Sequence, residues 1–133
     1  MFDWKKPTVQ MLGRWQPWHD GHQALFKRCI TKTGQVMIQV RDVHNASGGD
    51  SQDDNPFDWK SVCKNIEDSL LGDGFKRGLD FEIMLVPNIV NISYGRGVGY
   101  AIEEEILDDE IQLISATNIR KQLREKGALE DKE

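Results

Sequence analysis

Cysteine is scarce in this chain: only Cys29 and Cys63 occur, and they form no C-x-x-C pair. Both are therefore expected as reduced thiols of a cytoplasmic protein rather than as a disulfide. An excess of positive charge is missing too, since 17 Lys and Arg stand against 22 Asp and Glu, a net charge of −5. Such a balance gives no electrostatic footprint for duplex nucleic acid, so no nucleic-acid partner is expected. No apolar run approaches the length that spans a bilayer and no secretory h-region opens the chain, so no membrane association is expected. Without such a signal, the sequons Asn45-Ala-Ser47 and Asn91-Ile-Ser93 carry no meaning. No Gly-Lys dipeptide exists, which excludes a P-loop. The run Gly95-Arg96-Gly97-Val98-Gly99-Tyr100 is not a dinucleotide fingerprint, because its sixth position is tyrosine and no acidic residue follows in a clear βαβ unit. Neither a repeat nor a linker appears, and 133 residues suffice for one core but not two.

What is present concentrates between residues 8 and 26. A short apolar strand there gives way, with almost no loop, to Gly13-Arg14-Trp15-Gln16-Pro17-Trp18-His19-Asp20-Gly21-His22 and a helix. Gly13 ends the strand without a Cβ, so a ligand could lie against its backbone, and Pro17 fixes a turn that delivers both histidines to the helix mouth. A helix N-terminus offers unpaired N–H groups and a positive dipole. Together with Arg14 and two imidazoles, these donors suit an anion, most naturally a phosphate. The three-residue spacing of His19 and His22 also occurs in metal sites, but no Cys, His or carboxylate cluster nearby completes a ligand set, so no protein-held metal is expected. The ordinary alternative is a pair of surface or core histidines. His44 is expected to be solvated.

The remaining pattern is that of an α/β chain. Residues 9–12 read as a buried strand, 21–32 as a helix closed by Gly34, and 35–40 as a second strand, an order that implies a right-handed crossover and a parallel sheet. Arg41 and Asp42 then stand at the carboxyl edge, where open α/β sheets bind ligands. Residues 43–55 hold almost nothing apolar and are expected to form a long lid-like loop. Asn55 is expected to cap a second helix with Pro56 at its first position, running through Trp59, Val62, Ile66 and Leu70 to Gly72. Residues 81–86 read as a third strand ended by Pro87, and the glycine-rich run around Arg96 suits a loop that wraps a ligand. Residues 102–107 are read as a short irregular or edge strand, 111–114 as the last core strand and 117–126 as a final helix.

Residues 13–22 resemble the G-R-F-Q-P-F-H-x-G-H signature of the nucleotidylyltransferase superfamily, with tryptophan for both phenylalanines. Ile114-Ser115-Ala116-Thr117-Asn118-Ile119-Arg120 resembles its second signature, I-S-S-T-x-x-R, with Ala116 for the second serine. Two motifs in the right order cover most of the chain and imply a single Rossmann-like domain over residues 1–133, with a parallel sheet flanked by helices. The resemblance implies that an acceptor's phosphate attacks the α-phosphorus of a nucleoside triphosphate and that pyrophosphate leaves. His19 and His22 are implied to contact the reacting phosphate, assisted by Arg14. Ser115, Thr117 and Arg120 are implied to hold the β- and γ-phosphates, although the hydroxyls could equally be simple helix caps.

Gly13, Trp15, Gly21 and Arg96 are placed against the nucleotide, and Arg41 and Asp42 against a small phosphorylated acceptor. Trp15, Trp18 and Trp59 could each stack on a base or simply pack. Mg²⁺ is expected to bridge the triphosphate oxygens without a dedicated protein cage. The first motif looks like the adenylyl-transferring branch that includes nicotinamide-mononucleotide adenylyltransferases, which makes ATP the expected donor. A cytidylyltransferase using CTP and a small alcohol phosphate is the alternative of the same class. Against it, the arginine-threonine pair common before the second signature in that branch is replaced by Ile111-Gln112. A nucleotide-binding regulator without turnover is the alternative of another class. A homodimer is usual for the implied fold.

Overall fold

The computed structural model describes residues 1–44, 55–96, 99–105 and 107. Over these, the chain is an α/β unit in the order β1 (Val9–Gly13), α1 (Asp20–Thr33), β2 (Val36–Arg41), α2 (Trp59–Gly72) and β3 (Phe81–Val86). The three strands form a parallel sheet in the order β1-β2-β3. Val9 pairs with Val36 and Val36 with Phe81, and this register places Gly13 level with Val40 and Leu85. Strand ends carrying Gly13, Arg41 and Val86 therefore converge on one carboxyl edge.

Side chains alternate across a strand, so Met11, Val36, Ile38, Val40, Phe81 and Ile83 share one face. They form a single buried cluster with Phe26 and Cys29 of α1 and Val62, Ile66 and Leu70 of α2. The helices reach that face at helical spacing, and the rings of Phe26 and Phe81 meet edge to face at 5.9 Å. Gln23 fastens the helices to each other: its amide donates to the Ser69 carbonyl and to Asp73, each at 2.8 Å. Gly34 closes α1 at φ 85°, a left-handed conformation open to glycine, and its N–H donates to the Ile30 carbonyl at 2.8 Å.

The second helix starts later than its local sequence suggests. Asp58, not Asn55, is its cap, accepting from the Ser61 N–H at 2.9 Å. Long-range bonds explain the shift. Gln16 grips the backbone of Phe57 from both sides, accepting its N–H and donating to its carbonyl, each at 2.9 Å, which engages residue 57 outside the helix. Asn55 is fully buried and accepts from Arg14 at 3.2 Å. Residues 101–105 form no strand, contrary to the edge strand expected over 102–107. The strand and helix expected over 111–114 and 117–126, and most of the loop expected over 43–55, lie outside the described residues. Both cysteines are free, Cys29 buried and Cys63 half-buried. Among the described residues no helix is long and apolar enough to cross a membrane.

Candidate functional site: a paired-imidazole helix cap

The segment from Gly13 to His22 is shaped by tryptophan packing. A Cβ on Gly13 would lie 2.8–2.9 Å from the indole of Trp15, so the space beside Gly13 is filled by this ring rather than left for a ligand. Trp15 adopts φ 54°, a conformation that costs a non-glycine residue energy unless its surroundings hold it. Those surroundings do hold it: the ring is 7% exposed, its N–H donates to the Gln39 carbonyl at 3.1 Å, and Trp18 lies 5.1 Å away. Trp18 is buried in turn and donates to Gln23 at 2.7 Å. Trp15 and Trp18 are thus the floor of the site, with their faces committed to packing. Trp59 is half-buried beside Arg41, Asp42 and His44.

On this floor stand the histidines. His19 is the N-cap of α1 and accepts the Gly21 N–H through Nδ1 at 3.0 Å, while His22, three residues on, accepts the His19 N–H through its own Nδ1 at 3.2 Å. Such a reciprocal cap is ordinarily made by a serine or threonine and a glutamate; here two imidazoles perform both halves. The rings stack at 3.7 Å and 18°, and His22 meets Trp15 edge-on at 4.7 Å.

This arrangement selects a tautomer. A nitrogen that accepts a backbone N–H carries no proton, so in each neutral ring the proton resides on Nε2. Burial, with a smaller contribution from the neighbouring His19, lowers the pKa of His22 to about 3. Burial likewise lowers that of His19, with Asp20 opposing. Near neutral pH the helix therefore opens with two uncharged imidazoles, each able to donate through Nε2, and neither Nε2 has a partner among the described residues. The first-turn N–H groups are not bare, as the sequence reading had them: Gly21 and His19 donate to the rings, which carry donor capacity outward.

Arg14 follows β1 directly and is held by Asn55. Arg41 ends β2 at the same carboxyl edge, its guanidinium bonded to Asn88 through Nε at 3.2 Å and Nη2 at 2.7 Å. Asp42 is exposed beside it and its N–H donates to the Val86 carbonyl at 2.9 Å. His44 is half-buried and lines the same crevice as Arg41 and Asp42, rather than standing free in solvent. Arg96 is exposed on the irregular segment after β3, and among the described residues no hydrogen bond or ion pair joins it to the histidines. Ser115, Thr117 and Arg120 lie outside the described residues.

Sequence reasoning missed the bracing roles of Gln16 and Gln23, whose only signal was polarity within an otherwise apolar neighbourhood, and read Asn55 as a helix cap where it instead accepts from Arg14. Among the described residues no group of three or more His, Cys, Asp or Glu is placed to hold a metal ion. No protein-family profile, curated protein or solved structure matches this chain.

Proposed function

We propose that this chain is a Rossmann-like nucleotidylyltransferase that transfers AMP from ATP to a small phosphorylated acceptor and releases pyrophosphate. The observation that carries the reading is the stacked imidazole pair at the mouth of α1, with both Nδ1 atoms occupied by backbone N–H groups. Such a pair offers two fixed donors without bringing a charge of its own, which suits the crowded, already anionic α-phosphate of a triphosphate. The two signatures read from the sequence support the same chemistry.

In this mechanism an acceptor phosphate oxygen forms a bond to the α-phosphorus while the bond from that phosphorus to the β-bridging oxygen breaks, and pyrophosphate leaves with the electron pair. An acceptor phosphate is anionic at neutral pH, so the step needs no general base. The Nε2–H groups of His19 and His22 stabilise charge on the α-phosphoryl oxygens, as an oxyanion hole does. Arg14 and Gly21 border the phosphate chain, and Arg41 with Asp42 faces the acceptor. Arg96, Ser115, Thr117 and Arg120 complete the nucleotide contacts, and Trp15 supports them from beneath. Mg²⁺ arrives as part of the metal–triphosphate substrate.

Incubation with each nucleoside triphosphate and a panel of phosphate monoesters tests the proposal through pyrophosphate release. Release dependent on both substrates and greatest with ATP is expected. Nucleotide binding without release under any combination would replace the enzyme by a regulator.

A further inference from the structure

The amino edge of the sheet, opposite the imidazoles, holds a second recess. It has a volume of about 670 Å³ and lies between the chain leading into β1, the last turn of α1 and residues 99–103. That volume is in the range of small-molecule pockets. The histidines sit at the other end of α1, whose 14 residues span about 20 Å, so neither of them lines this recess.

The wall formed by residues 3–8 is anchored from within. Gln35 is 2% exposed at the entry to β2; it accepts the Asp3 N–H at 3.1 Å and donates through its amide to the Asp3 carbonyl at 2.7 Å and the Thr8 hydroxyl at 2.6 Å. Phe2 is buried, and its N–H donates to the Gly78 carbonyl at 2.7 Å. This anchoring presents Lys5 and Lys6 to the recess, both exposed and neither with an ion-pair partner among the described residues. Lys6 is turned toward α1, with its Nζ 3.6 Å from where a Cβ on Gly34 would stand. Lys32 adds a third ammonium from the last turn of α1, held by Glu105 and, at 3.4 Å, by the exposed Glu103. Three lysines therefore line the recess against one carboxylate, Glu103, in a chain whose net charge is −5. The negative end of the α1 dipole offsets only about half a charge of this excess.

The ammonium groups select an anion, and as compact charges with three donors each they suit the several oxygens of a phosphate. Thr33 donates its hydroxyl to the Gln35 carbonyl at 2.8 Å and keeps its lone pairs for a hydroxyl on the ligand. Tyr100 supplies an apolar surface: it is 56% exposed and meets Tyr94 edge to face at 6.2 Å. We propose that this recess binds a phosphate monoester carrying a flat ring, with the phosphate on Lys5 and Lys6 and the ring on Tyr100. Inorganic phosphate alone would leave Tyr100 unused, and an uncharged ring would leave the ammonium groups unpaired. The site is independent of the nucleotidylyl-transfer reading, since it shares no group with the imidazole cap.

Three probes separate these cases: 1-naphthyl phosphate, inorganic phosphate and 1-naphthol. Each is titrated into the full chain, and protection of individual lysines from acetylation is read by mass spectrometry, with Lys64 and Lys76 as internal references. 1-Naphthyl phosphate should protect Lys5 and Lys6 and bind about 10-fold more tightly than either of the other probes, the usual contribution of one stacked ring or one charge-assisted contact. Tyr100→Ala should reduce its affinity to that of inorganic phosphate. Lys5→Ala should weaken it about 5-fold, read at Lys6. Both substituted residues are exposed, so these variants should fold normally. His22→Gln should leave the protection unchanged, which separates this recess from the imidazole site. Equal affinities for 1-naphthyl phosphate and inorganic phosphate, protection spread evenly over all lysines, or protection lost in His22→Gln would overturn the proposal. Pyrophosphate release is a separate measurement: its absence would remove the proposed reaction and leave this site standing, and loss of the lysine protection would do the reverse.

Discussion

Replacing His22 in two different ways separates its structural role from its chemical one. His22→Ala removes the acceptor that caps the His19 N–H and a ring stacked on His19 and packed against Trp15 and Trp18. Loss of the cap costs about 1 kcal/mol, and loss of the ring's buried contacts about 1–2 kcal/mol more. A total of about 2–3 kcal/mol corresponds to a fall in Tm of about 10 °C for a domain of this size. His22→Gln places at the same position a residue that naturally completes a reciprocal cap, so it should cost only about 1 kcal/mol. Neither variant has an imidazole Nε2–H. Both should therefore lose about 10²- to 10³-fold in turnover, the usual effect of deleting one charge-stabilising donor. Thermal unfolding and pyrophosphate release on the same preparations give the comparison. Wild-type turnover in His22→Gln would take the ring out of the chemistry, and an unchanged Tm in His22→Ala would refute its place in the cap.

Gly13→Ala should destabilise by about 2 kcal/mol in urea titrations, because the new methyl meets a Trp15 ring that its bond to Gln39 holds in place; an unchanged midpoint would mean that the ring lies elsewhere. Acid should weaken the fold through His22. Its folded pKa of about 3 lies below the ordinary 6.5, so between those values the unfolded chain binds the extra proton: the contribution is fully present above pH 6.5 and is lost as pH falls toward 3. At pH 5 the loss is about 2 kcal/mol, and His22→Gln should lack this component of the pH dependence. Arg120→Ala should weaken triphosphate binding more than monophosphate binding, and equal losses in calorimetry would remove it from the triphosphate tail. ATP should give the fastest pyrophosphate release among the four common triphosphates; fastest release with CTP would favour the cytidylyltransferase alternative.

The elements of the fold were legible where their cause is local. Short apolar runs marked β1, β2 and β3, helical spacing marked Val62, Ile66 and Leu70 as the buried face of α2, and Gly34 marked the end of α1. What was not legible depends on residues far apart in sequence. Asn55-Pro56 has the local chemistry of a helix start, yet Gln16 and Arg14, roughly forty positions earlier, bind Phe57 and Asn55 and delay α2 to Trp59. Gly13 read as room for a ligand, because nothing in a linear pattern shows that Trp15 turns back at φ 54° to occupy that room. The histidines were legible as a pair at a helix mouth. Their tautomer was not, since it follows from which ring nitrogen meets the backbone.

That tautomer explains why a buried aromatic floor belongs beneath a site proposed to take an anion. A bare helix N-terminus can bind phosphate directly, but its donors must then lie at the end of the helix itself. Here the first-turn N–H groups of Gly21 and His19 are passed to imidazoles, so the dipole still acts through the bonds while Nε2 becomes the presented donor. For this to work the rings must stay neutral, because a proton on Nδ1 would replace the acceptor of each cap with a donor. Packing against Trp15 and Trp18 is what keeps His22 neutral, by removing the water that would solvate its cation. Gln23 and Gln39 fix those tryptophans through their indole N–H groups. The polar braces and apolar floor thus act on one quantity, the protonation state of two stacked rings, and through it on whether α1 begins in a hydrogen-bond donor or in a repelling pair of charges.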